Sequence, residues 1–363
     1  MKKRYLLFGI LFYTIAVLYL AVTTPISPHE AKLLYDSHSF AALLMQWSSQ
    51  IFPGFLGLRL VFLFFGFASI WFFYLLSRYH FEKINDAYLA TCIFMLLPGI
   101  MTASVMANIG IIVLPLVLLF VLLYEKGQRV WLPFIMLALF FIHEASVIFF
   151  ISLLLYAIVS KDKTLAIASS AFLLASVYLA KGISIGGRPS GHFIEIFGLY
   201  ASLFSPLVFL YFFYTMYRIF LRGKKSLIWY ISFTAFAFSL LLSLRQRIYL
   251  TDFAPYVLVA IVLMVDQFHL SLRVRLQEFR RWYEGGFYVV MGFLLLSALI
   301  ILFHQTLYFV SSHPEKHFAR RIYAPFMLAR SLQAKGVHCY DTENTRKRLQ
   351  LKYYGIQSCK MKK

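Results

Sequence analysis

Glu30 and Asp36 lie in one short amphipathic stretch, Ser27-Pro-His-Glu-Ala-Lys-Leu-Leu-Tyr35-Asp36, that follows the first apolar run of the chain. A carboxylate so placed can take a proton from an attacking hydroxyl, the work of a general base. Far downstream, Arg245 and Arg247 occupy alternate positions beside Tyr249. Guanidinium groups hold phosphate through paired, charge-assisted hydrogen bonds. These two are therefore the first candidates to meet an anionic leaving group, with Arg59 and Arg188 second. His29 and Glu144, the latter next to His143, complete the polar set. Each has a plainer explanation. Ser27-Pro28-His29-Glu30 reads as a capping box with proline at the first helical position, which alone accounts for Glu30. Arginines near an interface often snorkel. Gly186-Gly-Arg188-Pro-Ser-Gly-His192 is too irregular for a nucleotide loop and reads as a mobile loop on the substrate side.

The elements that must position these residues follow from composition. The chain has 363 residues; 61% are hydrophobic, 14% charged and 19% aromatic. That much apolar surface does not fit inside one soluble core. An ordinary soluble enzyme, a disordered chain and a disulfide-scaffold toxin are excluded. A spanning helix needs roughly 17–25 apolar residues. Eleven segments qualify or nearly so: 5–22, 55–76, 87–103, 109–124, 130–142, 145–159, 165–182, 198–216, 226–243, 251–266 and 287–306. The first is read as an uncleaved helix, because no small-residue cleavage site follows it. Residues 87–124 and 130–159 are read as hairpins, since cations flank both ends of each. Pro98-Gly99 and Asn108 supply the turn of the first, and His143-Glu144 that of the second.

The net charge of +20 would suggest nucleic acid in a soluble chain. Its distribution says otherwise. With an eleven-span topology, 17 Lys/Arg fall in cytoplasmic segments and five in short external loops. That bias sets orientation and implies no nucleic acid. The expectation is an all-α multi-pass protein of the inner membrane, with its N-terminus cytoplasmic and its C-terminus extracytoplasmic. Glu30, Asp36, Glu144, Arg245 and Arg247 then share the external face. A transporter would carry ionisable groups in mid-helix, and this chain has almost none there. Residues 1–309 form the membrane domain. Residues 310–363 change to a basic composition and read as a small external α/β module. Its expected elements are a helix over 322–335, a strand near 336–340 and a helix over 343–353. Cys339 and Cys359 are expected to pair there, because the compartment is oxidising and the core small. No CxxC spacing points to a structural metal.

Several stretches resemble the GT-C class of membrane glycosyltransferases, such as lipid A aminoarabinose transferases and protein O-mannosyltransferases. His29-Glu30 occupies the place of that class's Asp-Glu pair, with His29 where the Asp would be. Gly57-Leu-Arg59-Leu resembles its Arg-Leu-Pro entry to the second span, and Tyr74-Leu-Leu-Ser-Arg78 the usual exit. Leu97-Pro-Gly99 through Asn108 resembles its Ser-Pro-Gly stretch, with Asn108 where a second acid would stand. Arg245-Gln-Arg247-Ile-Tyr249-Leu with Pro255-Tyr256 resembles its Arg-Tyr-Leu…Pro segment. The resemblance implies a polyprenyl-phosphate sugar donor held at the bilayer surface and a glycan, lipid or protein acceptor. Glu30 or Asp36 would be the base and the arginines the phosphate partners. It specifies no cofactor and leaves room for a divalent metal. Two alternatives stay open: a Wzy-like polysaccharide polymerase, which Phe141-Ile-His143-Glu-Ala-Ser146 resembles, and a non-enzymatic transporter or scaffold for a lipid-linked saccharide.

Overall fold

The structure is a computed structural model and describes residues 3–179, 192–311 and 313–359. The described residues are mainly helical. In chain order the helices are α1 (Lys3–Thr23), α2 (Pro28–Asp36), α3 (Phe40–Ile51), α4 (Phe55–His80), α5 (Ile84–Leu96), α6 (Pro98–Val105), α7 (Ile109–Glu125), α8 (Leu132–Ile142), α9 (Ser146–Ser160) and α10 (Lys163–Tyr178). There follow α11 (Phe193–Phe204), α12 (Pro206–Arg222), α13 (Leu227–Ser243), α14 (Ala254–Val257), α15 (Ile261–Val274), α16 (Gln277–Leu302), α17 (His304–Val310), α18 (Arg320–Ala334) and α19 (Thr345–Tyr353).

Each of the eleven apolar segments falls on one or more of these helices. Their lengths are less uniform than a count of eleven spans requires. By length and composition, four described stretches can cross a membrane: Leu6–Thr23, Phe55–His80, Ala254–Val274 and Gln277–Leu302. Two more do so only as bent pairs, α5 with α6 at 59° and α11 with α12 at 107°. Five apolar helices are shorter. The bends have a local cause. A residue before proline is pushed out of the helical region. Leu97 accordingly has ψ 128° before Pro98, and Ser205 has φ 80°, ψ 142° before Pro206. The expected spans 87–103 and 198–216 are thus broken, and Pro98-Gly99 marks a bend rather than the hairpin tip. Gly99 is needed there for a second reason. A Cβ on it would lie 2.2 Å from a Leu203 methyl and 3.0 Å from the Leu203 carbonyl.

The chain divides into two compact units. One comprises residues 1–11, 65–101 and 109–298; the other comprises residues 12–64, 102–108 and 299–363. In the first, α9 packs on α10 and α13, and α14 against α7 and α13. Its interior is aromatic: Phe149 stacks on Tyr256 at 5.7 Å, and Tyr200 on Phe209 at 5.9 Å. In the second, α19 lies on α2, and α2 on α3. Residues 310–363 therefore group with the first loop.

The C-terminal segment also departs from the expected α/β module. Its two helices form, α18 and α19, but no strand does among the described residues. One bridge joins Cys339 to Gln357, with Tyr340 N donating to Gln357 O at 2.9 Å and Gln357 N to His338 O at 3.0 Å. A disulfide links Cys339 and Cys359 beside it. Ala329, Leu351 and Ile356 form the small core, flanked by Leu328, Leu332, Tyr340 and Tyr354.

The turn from α3 into α4 depends on Gly57. A Cβ there would fall 1.7 Å from the Phe52 carbonyl oxygen. A backbone atom cannot swing aside as a side chain can. Gly57→Ala is therefore expected to cost about 1–3 kcal/mol, as overpacking does, toward the upper end. Thermal unfolding of the purified protein would check this, and an unchanged midpoint would contradict the close approach.

Candidate functional site

The unit that contains the first loop is organised around one buried ion pair. Ser27 caps α2: its hydroxyl accepts from Glu30 N at 3.2 Å, and Ser27 N donates to Glu30 Oε2 at 2.8 Å. The capping box read from the sequence is therefore present. It is only part of what Glu30 does. Arg59, on α4, donates to Glu30 through Nε at 2.7 Å and Nη2 at 2.9 Å. Ala107 N donates to Glu30 Oε1 at 3.3 Å. A carboxylate offers about four lone-pair sites. Here four donors occupy them, and the residue is fully buried. The expectation that Glu30 serves as a base meets this geometry: it has no acceptor site open to a hydroxyl and no access to solvent.

Arg59 is as fully committed. It too is 0% exposed. Beyond Glu30, its Nη1 donates to Ala21 O at 2.9 Å and Thr24 O at 2.7 Å, and its Nη2 to Pro25 O at 3.1 Å. A guanidinium has five N–H donors, and five hydrogen bonds are made. The second-choice phosphate role for Arg59 therefore gives way to a different one. It gathers the carbonyls at the end of α1 and fixes α2 beneath them.

Burial alone would push the Glu30 carboxyl up. The Arg59 guanidinium, with hydrogen bonds from Arg59 and Ser27, outweighs this and holds it below the ordinary carboxylate value. A depressed folded pKa means that the stabilisation is complete above the unfolded value, about 4.3. It is lost as pH falls through the lower folded value. The thermal midpoint is therefore expected to stay level from about pH 7 to 5 as far as this pair is concerned, then drop below about pH 4. Glu30→Gln should show a smaller acid-dependent drop. An equal drop in both proteins would contradict the assignment.

What α2 presents outward differs from what it buries. Asp36 is exposed at its last residue, and no ion pair or hydrogen bond among the described residues engages its side chain. A negative charge at a helix C-terminus gains nothing from the helix dipole, and the last turn of α2 holds no basic residue to offset it. Asp36 thus has no evident structural reason for being an acid. His29 and Lys32 lie on the same short helix, and both are exposed.

α19 lies alongside. Gln350 Nε2 donates to Ile26 O at 2.9 Å and to Arg321 O at 3.1 Å, and Ile26 N donates to the Tyr354 hydroxyl at 3.3 Å. Phe55 stacks on Tyr353 at 5.9 Å. This docking brings C-terminal cations to the first loop. Lys352 Nζ sits 4.4 Å from the centre of the Tyr35 ring, and His29 interacts electrostatically with both Lys32 and Arg346. In the sequence these cations are about 300 residues away, in a basic tail that reads equally as a holder of anionic lipid or lipid-linked phosphate and as a solvated module, with no single residue marked out. Asn108 has a structural role as well, since its Nδ2 donates to Met106 O at 3.2 Å, near the end of α6.

The remaining expected residues belong to the other unit. Arg247 pairs with Glu195, which also meets His192 Nδ1 at 3.1 Å. Its charge is therefore already matched by an acid. Arg245 and Tyr249 are exposed, and no ion pair among the described residues involves Arg245. Glu144 is exposed at the turn between α8 and α9, while His143 beside it is buried. Arg188 and the rest of 180–191 lie outside the described residues. Among the described residues, no group of three or more His, Cys, Asp and Glu is suited to hold a metal.

No family profile matches the sequence, and no curated protein matches it. The structure does match a solved one. It is similar to the crystal structure of ArnT from Cupriavidus metallidurans in the apo state, with a TM-score of 0.55 and 12% identity. The match covers 97% of this chain and 74% of that one. The two share a fold.

Proposed function

We propose that this chain is a membrane glycosyltransferase of the inner membrane. It moves a sugar from a polyprenyl-phosphate donor to a lipid, glycan or protein acceptor on the extracytoplasmic face. The observation that carries the reading is the pairing of an ArnT-like fold with a surface helix that holds one idle acid. ArnT is a lipid A aminoarabinose transferase. In this chain α2 is locked from below by Glu30 and Arg59, and Asp36 is the acid it leaves available.

Asp36 is the base in this scheme. As the acceptor's nucleophilic group attacks the anomeric carbon, its proton passes to the carboxylate. The bond from that carbon to the phosphate oxygen breaks, and the lipid phosphate leaves with the electron pair. Its charge grows in the transition state, where cations stabilise it most. Lys32 on α2, with Arg346 and Lys352 on the neighbouring α19, are the proposed partners. Glu30 and Arg59 are positioning residues. His29 is coupled electrostatically to Glu30, Lys32 and Arg346.

Gene deletion followed by mass spectrometry of lipid-linked sugars and surface glycans tests the reading. A lipid-phosphate sugar should accumulate while one glycan or lipid decoration disappears. Shortened polysaccharide with an accumulated repeat unit would favour the polymerase. An unchanged profile would sink the enzyme reading and favour a scaffold.

A further inference from the structure

A second polar cluster lies within the unit of residues 1–11, 65–101 and 109–298, and the proposed chemistry leaves it unused. His143 follows α8 and is 8% exposed. Tyr256, on α14, is fully buried. Burying a polar group without a hydrogen bond is costly. Yet His143 Nε2 and the Tyr256 hydroxyl both lack a hydrogen-bond partner among the described residues. The carboxylate oxygen facing His143 Nε2 is Asp252 Oδ1, at 3.9 Å, beyond hydrogen-bond distance. Ser146, whose Oγ donates to Leu139 O at 2.7 Å, interacts with the Tyr256 hydroxyl electrostatically without meeting hydrogen-bond geometry. The Tyr256 ring is held by stacking on Phe149, and its carbonyl accepts from Ser232 Oγ at 3.0 Å. The orphan hydroxyl is thus firmly placed.

The cluster has an open side. Asp252 is partly exposed, Thr251 beside it is exposed with Oγ1 3.5 Å from Asp252 Oδ1, and Glu144 is exposed and coupled electrostatically to Asp252. The polar groups therefore run from two surface acids inward to two buried, unsatisfied atoms.

We infer that His143, Tyr256 and Asp252 bind the hydroxyl groups of an uncharged sugar or similar polyol. The mix of donors and acceptors selects that class. Two acids repel an anion such as phosphate. A cation needs acceptors alone and would leave the Tyr256 O–H unmatched. No described group suits a metal. A polyol hydroxyl both donates and accepts. It can accept from Tyr256, exchange with His143 Nε2 in either tautomer, and donate to Asp252.

The test uses the purified full-length protein in nanodiscs. Its probes are methyl α-D-glucopyranoside, methyl α-D-mannopyranoside and methyl β-D-xylopyranoside, read by saturation-transfer NMR, with methylammonium as the cationic control. At least one glycoside should bind, and Tyr256→Phe should weaken it about tenfold, the loss of one good hydrogen bond. Tyr256→Phe keeps the ring on Phe149 and removes an unsatisfied buried hydroxyl. Its unfolding midpoint without sugar should therefore be unchanged or higher. His143→Ala should weaken the same glycoside. Three results would overturn the inference: no glycoside binds, Tyr256→Phe binds as the wild type does, or only methylammonium binds with this dependence. Transfer activity does not enter the readout. A failed transferase reading would leave this test standing, and the converse holds too.

Discussion

Arg59→Leu is expected to destabilise the protein by about 3–5 kcal/mol, the usual cost of stripping one partner from a buried ion pair. The replacement leaves Glu30 as an uncompensated charge with no exposure, and it leaves the carbonyls of Ala21, Thr24 and Pro25 without their donor. Glu30→Leu should cost a similar amount for the reverse reason, since Arg59 would keep its charge in the same dry place. The double variant should cost less than the two singles together, because neither charge remains. It should not return to wild-type stability, because the three carbonyls still lack donors. Arg59→Lys should recover only part. An ammonium is a point donor and cannot span five acceptors as a planar guanidinium does. Thermal unfolding and proteolysis of the first loop measure all four. Single replacements within about 0.5 kcal/mol of wild type would match an ordinary surface change and refute the buried pair as the anchor of α2.

Asp36→Asn is expected to lower sugar transfer in membranes by about 100- to 10,000-fold, the range for losing a general base. The side chain is exposed and pairs with no described residue, so the same change should leave the unfolding midpoint where it was. That combination separates it from Glu30→Gln, which should lower activity and stability together through misplacement of α2. Asp36→Glu should restore part of the rate, because it keeps the carboxylate. Normal transfer by Asp36→Asn would remove it as the base. Normal stability with normal transfer in Glu30→Gln would in addition refute the positioning role of Glu30.

Much of this protein was legible in its residues. The membrane class followed from apolar content, and the helical segments from the length of uninterrupted apolar runs. The Ser27–Glu30 capping box was readable because both partners lie within one helical turn. Cys339 and Cys359 could be paired on composition and compartment. The breaks at Leu97-Pro98 and Ser205-Pro206 were legible in part. Proline forces its predecessor out of the helix, yet apolarity continues across both, so hydropathy alone runs each into a single span.

The division of labour between Glu30 and Asp36 was beyond the sequence. Both are acids on one short helix, and local spacing treats them alike. Arg59 distinguishes them, because its five donors are filled from α2 and from the end of α1, leaving Glu30 sealed and Asp36 free. The same holds for Arg245 and Arg247. They are equivalent as neighbours in sequence, but only Arg247 meets Glu195. The docking of α19 on α2 was equally unreadable, since one glutamine amide, one tyrosine hydroxyl and a ring stack carry it and none has a periodic signature. Apolar pattern is a property of runs of residues, so the sequence by itself determined the elements and the solvent they require. Whether a charged side chain is spent or available depends on which groups fold onto it from hundreds of residues away, and only the tertiary structure decided that.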